Sequence, residues 1–268
     1  MFFFSKKRKY LSSFTIGSNV VNSPNNYFDG CLDSVSFVSR SKSSTEVLND
    51  ATLVSKIPFD GSNLVDVGPL LNNGTGINYQ FTSSGRVNTA VTLSTLFSYI
   101  QITGLLRFGT NGWSYTVAVW IYPTAITGGT IMHLSTRLDG GQPNGWCLPI
   151  IGLTSTGLIA VNSWNGGNIP LNGPIASLLT WTHVAVTYST TNGEILYING
   201  IQYGSSSGAY TFSAGASRMT VTLGNSLIGA LQCNTGTIQM GQFYGSLDEF
   251  YLYARELTST EISTLANP

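Results

Sequence analysis

Little of this chain is charged. Lys, Arg, Asp and Glu make up 9% of its 268 residues, with twelve residues of each sign, against the roughly 25% usual for soluble proteins. Ser, Thr, Asn and Gly fill the polar positions instead, a composition suited to a surface outside the cell. Four of the twelve cations stand in one run, Lys6-Lys7-Arg8-Lys9, and residues 53–268 keep six basic and eight acidic residues. That region has no cationic footprint for nucleic acid. The basic run follows the apolar Met1–Phe4 instead of preceding it, so the start does not read as a signal peptide. A solvated leader over residues 1–12 is expected, with a nuclear signal or a membrane-surface tether as alternatives. No stretch of about 18 apolar residues exists, so no membrane-spanning helix is expected.

Helical periodicity is nearly absent, since no window of a dozen residues carries an apolar stripe with caps at both ends. Catalytic motifs are missing too. Glycoside hydrolysis needs two carboxyl groups, and between Val67 and Leu247 the only acids are Asp139 and Glu194, the latter placed by its neighbours in a hairpin turn. The two histidines, His133 and His183, lie in apolar runs without a Gly-x-Ser-x-Gly turn, and read as strand residues with satisfied hydrogen bonds. Two His and scattered Cys make a zinc site unexpected. No enzymatic role is expected. The three cysteines leave at least one unpaired. Cys147 and Cys233 are expected to pair, and Cys31 to remain free; two buried thiols are the alternative for the pair.

What is present is β-branched and aromatic residues in short runs, cut by Asn73-Gly74, Asn111-Gly112, Asn144-Gly145, Asn192-Gly193 and Asn199-Gly200. Such punctuation predicts ten or more strands joined by tight turns, in two packed sheets. In Trp181–Ser189 the apolar Val184, Val186 and Tyr188 alternate with His183, Ala185 and Thr187, and two Asn-Gly turns then make a three-strand meander through Gly204. Thr258-Ser259-Thr260-Glu261 predicts a capped helical turn near the end.

The chain also repeats itself. Gly30, Leu32, Asp33, Arg40, Ser44, Thr45, Glu46 and Ala51 recur 215 positions later as Gly245, Leu247, Asp248, Arg255, Ser259, Thr260, Glu261 and Ala266. The expected organisation is a leader over 1–12, the closing hairpin of an upstream copy over 13–52, and one complete domain over 53–268. A hairpin from Phe14 to Val38 buries too little to stand alone.

Trp181-Thr182-His183-Val184-Ala185-Val186-Thr187-Tyr188 followed by Leu196-Tyr197-Ile198-Asn199-Gly200 resembles the central signature of laminin G-like domains, in the concanavalin A-like lectin and glucanase superfamily. Gly245–Tyr253 resembles their closing strand, Tyr115–Pro123 an inner strand, and Phe59-Asp60-Gly61 the opening one. The resemblance covers residues 57–268. It implies an all-β jelly-roll sandwich of two antiparallel sheets, with first and last strands side by side. It also implies an extracellular domain that binds a glycan or an extracellular protein, with calcium as a structural ion. Asp248 matches the family's closing-strand ligand, and Asp60 or Asp66 would supply the second carboxylate. For a glycan, Trp113, Trp146 and Trp164 offer ring faces, and Asn162 and Asn165, with Asn144 and Asn168, offer hydrogen bonds; for each Trp the competing role is packing. Trp120 and Trp181 are assigned to the core. Asn73-Gly74-Thr75 is an N-glycosylation acceptor pattern for a secreted chain. A structural protein-interaction module and a fragment without a ligand are the alternative functions.

Overall fold

A computed structural model describes residues 16–17, 28–32, 35, 37–141, 144–206, 208–227 and 233–268. The basic run and Asp33 lie outside these. The chain divides into two compact units, residues 1–41 and 42–268. In the first, Cys31 is exposed and free, as expected.

The second unit begins earlier than position 53, because a helix belongs to it. Helix α1 (Ser44–Thr52) starts at a capping box in which the Ser43 hydroxyl accepts from Glu46 N and the Glu46 carboxylate accepts from Ser43 N. Fifteen strands follow: β1 (Leu53–Ile57), β2 (Thr75–Ile77), β3 (Gln80–Thr82), β4 (Ala90–Leu93), β5 (Tyr99–Leu105), β6 (Tyr115–Pro123), β7 (Gly129–Ser135) and β8 (Cys147–Leu153). Then come β9 (Leu158–Trp164), β10 (Asn168–Ile175), β11 (Thr182–Ser189), β12 (Gly193–Ile198), β13 (Ile201–Ser205), β14 (Met219–Leu223) and β15 (Gly245–Tyr253). Helix α2 (Ser259–Leu265) closes the unit with the same capping box, built from Thr258 and Glu261. The matches Ser44, Thr45 and Glu46 with Ser259, Thr260 and Glu261 thus fall on two similar helix starts.

Two antiparallel sheets result. One runs β13-β12-β11-β6-β15-β4-β3, with β1 also paired to β15; the other runs β10-β9-β8-β7-β14-β5-β2. A bulge between Asp248 and Tyr251 divides the free side of β15, so that β4 pairs with Gly245–Leu247 and β1 with Phe250–Tyr253. First and last strands are therefore neighbours, Ile57 standing opposite Phe250.

Strand alternation decides which side chains fill the sandwich. Val117, Val119 and Ile121 of β6, Val184, Val186 and Tyr188 of β11 and Ile159 and Val161 of β9 meet in one buried cluster between the sheets. The other face of the first sheet holds Ala118, Ala185, Tyr197 and Tyr251, which bury Leu257 and Ile262 of the closing tail. Arg255 fixes that tail, donating to both Glu261 oxygens at 2.7 and 2.9 Å, to Asn49 Oδ1 and to Thr52 Oγ1.

Trp120 is buried, but on this outer face, where the Arg86 guanidinium lies 4.5 Å from its ring centroid and the His183 ring 5.3 Å away. Trp181 departs from expectation, since it is partly exposed beside Tyr122 and not in the core.

The outer face of the second sheet is roofed by the segment 233–243. Its backbone bonds to three strands: Gln239 N donates to Leu153 O, Gly129 N to Gln239 O, and Asn234 O accepts from Asn162 Nδ2 at 3.0 Å. A disulfide between Cys147 and Cys233, with Cα atoms 5.3 Å apart, ties the start of the segment to β8.

Candidate ligand-binding site

One end of the sandwich collects the aromatic residues expected to meet a ligand. The segment 210–215 crosses that end and touches all three tryptophan regions. Beside Trp113, Gly112 N donates to Phe212 O at 2.8 Å, and Asn111 Oδ1 accepts from Ala214 N at 2.8 Å. Trp164 O accepts from Ser213 N, and the Trp146 ring meets Phe212 edge-on at 6.1 Å. Trp146 and Trp164 pack against the core, and Trp113 lies under the Arg107 guanidinium, 4.6 Å from its ring centroid. Of the three rings only that of Trp146 meets the segment, and all three are partly buried.

Asn162, one of the residues expected to meet a ligand, is fully buried. Val161 points into the sandwich, so Asn162 points out of it, beneath the 233–243 roof, where its Nδ2 donates to Asn168 Oδ1 and Asn234 O. Asn165 and Asn168 are exposed on the β9–β10 turn.

Next to this turn a cleft of about 390 Å³ opens between β10 and the stretch after β13, lined by Asn168, Leu171, Ser205, Ser206, Ala209 and Tyr210. Tyr210 is its one aromatic wall. A larger hollow of about 610 Å³ along α2 is lined by Ser259, Thr260, Ser263, Thr264 and Asn267, and has neither a ring nor a charge.

Behind the cleft lies a residue the sequence reading misplaced. Glu194 is not in a turn but in β12, on the inward side with Leu196, and is fully buried. Register sets Tyr115, Tyr188 and Glu194 in one row across β6, β11 and β12. The Tyr115 and Tyr188 rings lie 5.2 Å apart, and Tyr188 and Tyr210 5.1 Å apart. Burial pushes the Glu194 carboxyl well above the usual carboxylate range; the Tyr115 hydroxyl faces it, short of hydrogen-bond geometry, and draws it partly back. Tyr115 and Tyr210 are raised by burial first and then by the Glu194 charge.

The three aspartates expected to share an ion have different partners. Asp66 is buried with Oδ1 accepting from Lys56 N and Gly68 N, and Oδ2 from Asn72 N. Three backbone amides thus already hold this carboxylate. Asp248 Oδ2 accepts from Val87 N, and Asp60 accepts from Thr89 N and Asn88 Nδ2. These two carboxylates flank the same short segment, 87–89. Burial, the first cause, raises Asp248 to about 7, against the lowering bonds from Val87 and Glu249. Asp248, too, is engaged by three backbone amides, those of Val87, Glu249 and Arg86, so a cation held by Asp248 and Asp60 would compete with those bonds.

Both histidines are buried neutral, held down to about 4 by burial. His133 Nε2 meets Gly140 O at 2.9 Å, whereas both nitrogens of His183 lack partners, contrary to the expectation of satisfied rings. His133, Cys147 and Cys233 place one ligand atom each within 4.8 Å of the others, so the cysteines are not scattered, but their sulfurs are bonded to each other. Asn73 is exposed, and its Oδ1 accepts from Asp66 N, which leaves the Nδ2 that carries a glycan outside that bond.

Among the described residues no helix is long and apolar enough to cross a membrane. No curated protein matches the chain significantly. Solved structures do. Domain 4 of the extracellular GH43 arabinanase AbnA of Geobacillus stearothermophilus, in complex with arabinotriose, is 19% identical with a TM-score of 0.54, over 80% of this chain and 98% of that one. The binding domain of botulinum neurotoxin DC, in complex with rat synaptotagmin II, is 16% identical with a TM-score of 0.55, over 81% of this chain and 52% of that one. Botulinum neurotoxin type C, whose cell entry depends upon interaction with two ganglioside molecules, is 16% identical with a TM-score of 0.57, over 84% and 52%. This chain spans about half the length of the two toxin structures. At these identities the likeness concerns the fold. Residues 93–263, running from the end of β4 to α2, match the laminin G-type model of the concanavalin A-like lectin/glucanases superfamily, and the chain belongs to that family.

Proposed function

We propose that this chain is a non-catalytic, extracellular recognition module that binds a carbohydrate in the cleft between β10 and Tyr210. The observation that carries the reading is the cleft itself: an aromatic wall at Tyr210, with amide and hydroxyl groups at Asn168, Ser205 and Ser206. Sugars are held by ring faces against C–H groups and by neutral hydrogen-bonding side chains. The arabinotriose and ganglioside ligands of the similar domains support the class. So do the low charge and the disulfide for an oxidising compartment. Glu194 stands without a second carboxylate among its neighbours, and Asp139 is exposed and tied to Arg137, which supports binding without hydrolysis.

Calcium belongs to the proposal as a structural ion held by Asp248 and Asp60, where it would neutralise both carboxylates and fix the 87–89 segment. A glycan array probed with and without chelator tests both parts. Binding weakened by chelator, with the Tyr210→Ala variant silent on the same glycans, is the expected result; binding unchanged by Tyr210→Ala would remove the cleft from the reading. Calcium should raise the melting temperature of the wild-type protein by several degrees and leave that of Asp248→Asn unmoved. Equal shifts in both would take the ion away from Asp248.

A protein partner is the second reading, favoured by β13. It is the end strand of its sheet, with Ile201 and Tyr203 74% and 53% exposed, and an open edge invites pairing with another chain. Silence on the array, together with partner capture abolished by Ile201→Lys, would favour it.

A further inference from the structure

The interior behind the cleft is short of one charge. Glu194 Oε1 and Oε2, Tyr115 Oη, Tyr210 Oη and Ser163 Oγ are all buried without a hydrogen-bond partner. They come from β12, β6, the segment after β13 and, across the sandwich, β9. Ser163 shares the inward side of β9 with Ile159 and Val161. Alternation would place apolar side chains at the three strand positions, Glu194, Tyr115 and Ser163, and an unmade hydrogen bond in an interior costs about 1–3 kcal/mol, more for a charged group. No basic side chain answers the carboxylate. Among the described residues Lys42 pairs with Asp50, Lys56 with Glu249, Arg137 with Asp139 and Arg255 with Glu261. The titratable groups that act on Glu194 or feel its charge are Tyr115 and Tyr210, with Tyr188 beside them, all neutral acids in the ordinary pH range.

The cleft reaches close to this cluster. Ser206 and Tyr210 line it, and Ser206 brackets Glu194 directly: Glu194 N donates to Ser206 Oγ at 2.9 Å, and Ser206 N donates to Glu194 O at 2.8 Å. Tyr210 is half-buried, its ring tilted against that of Tyr188, and follows the exposed Gly208 and Ala209. It is the lining residue that also belongs to the cluster of orphaned oxygens.

We propose that the cleft takes a ligand carrying a primary ammonium group among hydroxyls, an amino sugar, and that Glu194 is the counter-ion of that ammonium. The proposal rests on the carbohydrate reading above and narrows it. The chemistry is complementary: every orphaned atom accepts hydrogen bonds, and an ammonium donates three. The rings of Tyr210 and Tyr188 add their faces to the cation, while Asn168 and Ser205 meet the hydroxyls. Before binding, burial favours the protonated form of Glu194. On binding, it gives its proton to the buffer and becomes the carboxylate facing the ammonium, so the ligand enters as a cation and one proton leaves.

Titration calorimetry of the full chain tests this with oligomers of glucosamine, the same oligomers N-acetylated, and arabino-oligosaccharides, at pH 6 in two buffers of different ionisation enthalpy. The deacetylated oligomers should bind at least about tenfold more tightly than the acetylated ones, with close to one proton released per site. Glu194→Gln, of nearly the same volume, should lose that preference and the proton release and keep the weaker binding of neutral sugars; circular dichroism reports whether it folds. The preference and the proton count are read on the wild-type protein, so a misfolded variant leaves the test standing. Equal affinity for acetylated and deacetylated oligomers, or binding without proton release, overturns the amino-sugar inference while the carbohydrate reading survives. No binding of any oligosaccharide overturns both.

Discussion

Replacing Glu194 by leucine is expected to stabilise the protein above neutral pH and to abolish a pH dependence that the wild-type chain shows there. Glu194 has a folded pKa above its ordinary 4.5, so the folded state holds a proton that the unfolded state releases. Its contribution is whole below pH 4.5 and falls as pH rises through the folded value, by about 1.4 kcal/mol per pH unit. Asp248, raised to about 7 from 3.8, acts in the same direction up to that pH. The histidines oppose them. His133 and His183, lowered from 6.5 to about 4, contribute fully above 6.5 and lose stability as pH falls toward 4. Between pH 4.5 and 6.5 two groups therefore act each way and stability is level; above pH 7 Glu194 alone gives a slope. In Glu194→Leu the level region should become a rise and the alkaline slope should vanish. The gain above neutrality should be on the order of 1–4 kcal/mol, as when buried charges give way to well-packed apolar groups. Urea denaturation at half-unit pH steps, in chelator, reads both curves. A wild-type stability that stays flat from pH 7 to 8.5 would mean that the carboxyl is not held neutral inside the sandwich.

Glu194 also shows where sequence reading stops. The fold was legible because its signals are local: alternation in β6 and β11, the Asn-Gly turns around β12, and a closing strand with a recognisable tail. β10 was missed because Pro170 and Pro174 argue against a strand, yet β10 is the end of its sheet, where the absent N–H groups face no partner. Helix α1 was readable in principle, since Ser43 and Glu46 repeat the spacing of Thr258 and Glu261; the repeat was seen and its capping box was not. The candidate site was less legible. Tryptophan and asparagine near turns identify the end of the sandwich beside the proposed cleft, but only side-chain direction tells a ring that packs from one that lines a cleft. The parity of Leu196 puts Glu194 inside, and that inference was available from the sequence; the neighbouring Asn192-Gly193 turn concealed it. Asp66 shows a different limit: three backbone amides converge on it, and no spacing rule reports that.

Breaking the disulfide is expected to cost the whole protein more than it costs the segment it ties. Cys147 and Cys233 close a loop of 86 residues, for which restriction of the unfolded chain is worth about 4–5 kcal/mol. The segment 233–243 does not depend on the bond alone for its place. Thr130 N donates to Gly241 O at 3.0 Å, Thr237 Oγ1 to Asn172 Oδ1 at 2.6 Å, and Ile238 is buried against Gly152. The double variant Cys147→Ser with Cys233→Ser, which avoids a lone thiol, should therefore lose about 2–5 kcal/mol in urea denaturation. Hydrogen exchange at the Gly129, Thr130 and Gln239 amides should speed up only in proportion to that global loss. Selective exchange at those amides, with the rest of β7 and β8 unchanged, would place the effect in the folded state, as a clamp on the roof over Asn162. A loss under about 1 kcal/mol would mean that strain in the native bond offsets the chain-entropy gain.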